Sequence, residues 1–91
     1  MAAVQQFENV IILTNGDTLA ASGIIASVLV TAGAASEAEV IIKRASDNAI
    51  VATYKVLQGQ SQDFKTKIRY KEDLAFEING TGAVAYAYLE V

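Results

Sequence analysis

The chain has no cysteine and no histidine. The first absence removes disulfides and thiolate chemistry, so nothing covalent braces the fold and the redox compartment stays open. The second removes the commonest general base and the commonest metal ligand. Proline and tryptophan are missing too. An excess of positive charge is also lacking: seven Lys and Arg stand against ten Asp and Glu, a net charge of −3. Such a chain has no global attraction for nucleic acid or an anionic membrane. No long apolar span is present. Residues 19–35 are apolar on average, but Ser22, Gly23, Ser27, Thr31 and Gly33 interrupt them, and no basic leader precedes them. They read as turn, strand and turn in a soluble protein whose mature start lies near Met1.

What remains is ordered and small. At 91 residues the length suggests one domain, one that buries roughly 60–70% of its unfolded surface. The 53% hydrophobic and 19% charged residues argue against disorder. Much of the apolar content is Ala and Val, which fill thin layers but bury little area each. Part of the apolar surface is therefore expected to be kept for neighbouring chains.

Residues 63–78 carry the clearest pattern. Phe64, Thr66, Ile68 and Tyr70 alternate with Lys65, Lys67, Arg69 and Lys71. Successive strand side chains point to opposite faces, so a strand here has one packed and one cationic face. Leu74, Phe76 and Ile78 then alternate with Ala75, Glu77 and Asn79. The two segments read as a pair of strands sharing a core.

The same two-residue period runs through the rest. Residues 1–6 form an arm before the domain, which spans 7–91. Residues 7–13 are the first strand, and Asn15-Gly16-Asp17 is a turn. Residues 18–22 are a short strand or loop, and residues 24–31 are a Val- and Ile-rich strand. In 37–44, Ala38, Val40 and Ile42 face one way. Ser46-Asp47-Asn48 is a turn, and 49–57 places Ile50, Ala52, Tyr54 and Val56 together. Gly80-Thr81-Gly82 closes a hairpin into 83–91, whose faces are Val84, Tyr86 and Tyr88 against Ala85, Ala87, Leu89 and Val91. A helix over 20–38 is the main rival; Gly23 and Gly33 bracket its β-branched run and argue against it. About seven or eight short strands with turns every 8–12 residues predict an all-β antiparallel β-sandwich, jelly-roll or Ig-like.

Chemical motifs are scarce. The Ser and Thr hydroxyls have no histidine to activate them, and the carboxylates are scattered singly, so no enzyme is expected. Glu72-Asp73 and Ser46-Asp47-Asn48 offer oxygens to calcium but lack the spacing of a dedicated loop, so plain turns and no metal or cofactor are expected. Gly80 and Gly82 lack the Lys and the strand–loop–helix context of a phosphate loop. Lys65, Lys67, Arg69 and Lys71 are the candidate protein-docking residues. Read more plainly, they are a solvated row with Asp63 and Glu77 nearby. A nucleic-acid role is weakened by the lack of interleaved exposed aromatics. Tyr86 and Tyr88 are expected in the core with their hydroxyls at its rim; exposed together, they would suit a sugar platform.

Across residues 24–88, the strand ending Thr31-Ala32-Gly33 leads into the Val and Ile alternation of 38–42. Leu74-x-Phe76-x-Ile78-x-Gly80-Thr81-Gly82 and Val84-x-Tyr86-x-Tyr88 follow. This pattern resembles small all-β virion proteins of tailed bacteriophages. The resemblance implies a non-enzymatic component of the capsid surface, such as a capsid decoration (cement) protein or another head or tail accessory protein. Its partners would be the major capsid protein or other virion proteins, and it would form homo-oligomers. No functional residue carries over. The competing expectation is a carbohydrate-binding recognition module.

Overall fold

The computed structural model describes residues 5–7, 9–20 and 22–90, the first three by their backbone. Nine strands form among the described residues: β1 (Gln5–Phe7), β2 (Val10–Leu13), β3 (Thr18–Leu19), β4 (Gly23–Thr31), β5 (Ala38–Arg44), β6 (Ile50–Val56), β7 (Ser61–Tyr70), β8 (Leu74–Asn79) and β9 (Val84–Leu89). No helix forms among the described residues, and none is long and apolar enough to cross a membrane. Of the arm expected over residues 1–6, the last two residues belong to β1; residues 1–4 lie outside the described part.

The strands build an antiparallel sandwich. One sheet has the order β1-β2-β9-β4-β7 and the other β3-β8-β5-β6. With β1 set aside, consecutive strands cross between sheets at every connection except β5 to β6. This is the jelly-roll winding; an Ig-like sandwich keeps more of its neighbours in hairpins within one sheet.

The winding corrects two expectations. β7 and β8 lie in different sheets, so the two best-patterned segments contribute to one core but do not pair. The turn at Gly80-Thr81-Gly82 is likewise no hairpin, because it carries the chain from β8 in one sheet to β9 in the other. The two-residue period chooses which face is buried, but it does not choose the partner strand.

The interior follows that period. Ile11 and Leu13 from β2, Val28 and Val30 from β4, and Ala85 and Ala87 from β9 are buried from the five-stranded side. Ala38, Val40 and Ile42 from β5 and Leu74 and Phe76 from β8 are buried from the other side. The first strand was expected to run unbroken over 7–13; it divides, β1 ending at Phe7 and β2 starting at Val10. In β6 the alternation fails at its start, where the register with β5 shifts between Ile42 and Lys43. Ile50 is therefore 65% exposed instead of joining Ala52, Tyr54 and Val56 on one face. The edge strands β6 and β7 meet across the open side of the sandwich through the rings of Tyr54 and Phe64, 4.8 Å apart.

Loops join at both ends. At one end the Asn15 side chain bridges to β8, accepting from the Ile78 amide at 2.9 Å and donating to the Ile78 carbonyl at 3.0 Å. The amide of Gly59 donates to the carbonyl of Gly33 at 2.8 Å. Gly80, at φ +120°, lies so close to the carbonyl of Glu37 that a Cβ would collide with it. At the other end the amide of Ala45 donates to the carbonyl of Asp73 at 2.9 Å.

These contacts rank two glycines. Gly16 has φ +79° with open space around it, whereas Gly80 combines a disallowed φ with a collision. Gly16→Ala should cost about 1–2 kcal/mol from the left-handed backbone alone. Gly80→Ala should cost more, because backbone must also move. Urea denaturation measures both; equal losses would contradict the close approach at Gly80.

Candidate functional site

The two outer faces of the sandwich differ in kind. Residues opposite each other in an antiparallel pair share a face. On the four-stranded sheet, one outer row is Asn79, Glu39 and Lys55, and the next is Glu77, Ile41 and Thr53. Lys43 donates to Glu77 at 2.7 Å, and Lys55 sits 3.8 Å from Glu39. Asn79 donates to both Glu39 and Glu77, at 3.2 and 3.0 Å. Hydrogen bonds from Lys43 and Asn79, with the Lys43 charge, hold the Glu77 carboxyl below its ordinary range. This face satisfies itself and presents charge to water.

The outer face of the five-stranded sheet is apolar at its centre. One row runs Val10, Tyr88, Ser27 and Lys65, and the next runs Ile12, Tyr86, Leu29 and Asp63. A third holds Val84, Thr31 and Ser61. Val10, Ile12, Leu29 and Tyr86 are half-buried, while Val84 and Tyr88 are exposed. The placement of Tyr86 and Tyr88 in the core is thus corrected. Ala85 and Ala87 take the inner positions of β9, so its tyrosines point outward. Tyr54 and Tyr70 face inward instead, and burial pushes the Tyr70 hydroxyl above its usual pKa. Strands spaced about 4.8 Å and rows about 6.8 Å apart make the apolar patch on β2, β9 and β4 about 250–300 Å².

The cationic row borders this patch. Lys65, Lys67 and Arg69 lie on the outer side of β7, the last strand of the five-stranded sheet. Lys71 does not join them, because β7 ends at Tyr70 and the chain bends. Lys65 lies 4.0 Å from Asp63, as the plain reading of the row anticipates, and Lys67 lies 3.7 Å from Glu90. Glu77 is engaged on the opposite face by Lys43 and does not serve the row. A ten-residue edge strand is open to pairing with other chains, and outward lysines discourage it.

The two turns weighed as calcium ligands are brought together, but around an arginine. Arg44 donates to Asp47 at 2.6 and 3.2 Å and lies 3.8 Å from Glu72. Ser46 donates to Glu72 at 3.2 Å. The guanidinium supplies the positive charge between the two carboxylates. The Ala49 amide, and then the Arg44 side chain, hold the Asp47 carboxyl below its ordinary range. Among the described residues no group of three or more acidic side chains is placed to hold a metal ion.

No family model, curated protein or solved structure matches this chain.

The ion pairs make acid sensitivity specific. A carboxyl depressed in the folded state stabilises the fold above its ordinary value, which is 4.5 for a glutamate. That contribution disappears as pH falls through the lower folded value. Urea midpoints should therefore drop below pH 4.5, and Glu77→Gln should flatten part of the drop. An unchanged profile in the variant would show that the Lys43–Glu77 pair contributes nothing.

Proposed function

We propose that this chain is a non-enzymatic structural protein of a virus particle, a decoration (cement) protein that binds several coat subunits of a tailed-phage head. The observation that carries the reading is the contrast between the outer faces. One is closed by its own ion pairs; the other sets Val10, Ile12, Leu29, Val84, Tyr86 and Tyr88 toward the outside. An apolar patch on a small protein marks a place where another surface belongs. Here it is about a third of the roughly 800 Å² that each partner contributes to a standard interface. One such contact is weak, and a protein that adheres through it needs several at once, which multiply through effective concentration. The jelly-roll order recurs in viral capsid domains, which supports the reading by analogy of fold.

A second reading has an observation of its own. Tyr88 is exposed beside Tyr86, and Asp63 lies in the same row as Tyr86. Aromatic rings with a carboxylate two strands away on the same face suit a sugar, and jelly rolls also serve lectins.

One experiment separates them. Purified protein mixed with expanded, undecorated heads of the virus that encodes it should cosediment and saturate at a fixed ratio to coat subunits. Tyr88→Asp should weaken binding at least tenfold, and Lys55→Glu on the opposite face should leave it unchanged. No binding to heads, with glycan binding lost in Tyr88→Ala, would replace the first reading with the second.

A further inference from the structure

The seven cations divide into two groups. Lys43, Arg44, Lys55, Lys65 and Lys67 each have a carboxylate within 4.0 Å. Arg69 and Lys71 have none among the described residues. These two line one cleft of about 310 Å³, at the end of the sandwich where the β5–β6 and β7–β8 turns meet. Arg44, Val51, Tyr70, Glu72 and Leu74 complete it.

The base of the cleft is apolar and fixed. Leu74 is 1% and Tyr70 7% exposed. The Tyr70 ring leans on Gly23, where a Cβ would stand 2.9 Å from the hydroxyl. Val51 is 43% exposed, moved out of the regular pairing by the register shift in β5 and β6. The one lining carboxylate, Glu72, already faces Arg44 at 3.8 Å and Ser46 at 3.2 Å. Asp47, 2.6 Å from Arg44, also compensates that guanidinium, so Arg69 and Lys71 carry the excess positive charge of the cleft, on a chain whose net charge is −3. The positive charge gathered here opposes the charge of the molecule as a whole.

We propose that this cleft binds an acidic peptide segment of a partner protein, one that carries a large apolar side chain next to a carboxylate. The planar fork of Arg69 offers paired donors to that carboxylate, and Lys71 offers a second positive charge. The apolar side chain covers Leu74, Tyr70 and Val51. A cleft of this size lies at the small end of ligand sites, large enough for one such side chain and its neighbours. The assignment splits the cationic row by task. Lys65 and Lys67, each beside its own carboxylate, guard an edge, while Arg69 and Lys71 recognise. It does not depend on the outer apolar face or on the virion reading.

The test uses the full chain, isotope-labelled, and an acetylated, amidated tetrapeptide alternating leucine or phenylalanine with aspartate or glutamate. Amide shifts should concentrate at Arg44, Val51 and residues 69–74. An Arg69→Gln, Lys71→Gln double variant should weaken binding at least tenfold, with the remaining spectrum unchanged. A Lys65→Gln, Lys67→Gln double variant should change it less than twofold. Should the first pair fail to fold, Lys71→Gln alone should still weaken binding severalfold. The proposal is overturned if the peptide causes no shifts at millimolar concentration. Equal binding of the peptide with asparagine and glutamine in place of its acids would also overturn it. So would equal binding of inorganic phosphate, or tighter binding of a short oligothymidylate that both double variants weaken alike.

Discussion

Strand β9 is held in the middle of the five-stranded sheet, between β2 and β4, and its two faces are not independent. Ala85 and Ala87 are fully buried beside Ile11, Leu13, Val28 and Val30. With those small side chains inside, Val84, Tyr86 and Tyr88 must lie outside. A slip of one residue would exchange the sets and force two tyrosines into space shaped for methyl groups. The interior of this protein therefore decides what its exterior displays. The same reasoning applied to β5 and β8 gives the opposite outcome, because their outward positions hold Glu39, Lys43, Glu77 and Asn79, which satisfy one another.

The jelly-roll winding adds a second consequence. Nearly every connection crosses the core, so the turns collect at two ends and touch. At one end the contacts are tight enough that Gly33 and Gly80 tolerate no Cβ. At the other, side chains meet instead, with Arg44 between Asp47 and Glu72. The molecule thus has an inert charged face, an apolar face, a rigid end and an end rich in polar contacts.

Face assignment was legible wherever one alternate set is clearly more apolar than the other. Ala38, Val40 and Ile42 against Glu39 and Lys43 is such a case, and so is Leu74 and Phe76 against Glu77. In β9 both sets are apolar, so hydropathy alone could not choose. The choice is made by crowding at the centre of the sheet, where alanine fits and tyrosine does not. Turn chemistry located the reversals at Asn15-Gly16 and Gly80-Thr81-Gly82, but a turn does not record whether the chain stays in its sheet. The charge row was visible as a period of two. Asp63 beside Lys65 was in view on the same strand, but the rest of its division was not, because the bend after Tyr70 and the approach of Glu90 to Lys67 depend on tertiary contacts. The cleft was invisible for the same reason: Arg44 and Val51 reach Arg69 and Lys71 only after the sheets have stacked.

The placement of the tyrosines is the most direct point of attack. Hydroxyl-radical footprinting of the protein at high dilution reads the exposure of each ring separately. Tyr88 should react fastest, with Tyr86 behind it, and Tyr70, buried at 7% exposure, slowest. If Tyr70 reacted as fast as Tyr88, or both β9 tyrosines were as protected as Tyr70, the register that divides inside from outside would be wrong, and the apolar face with it.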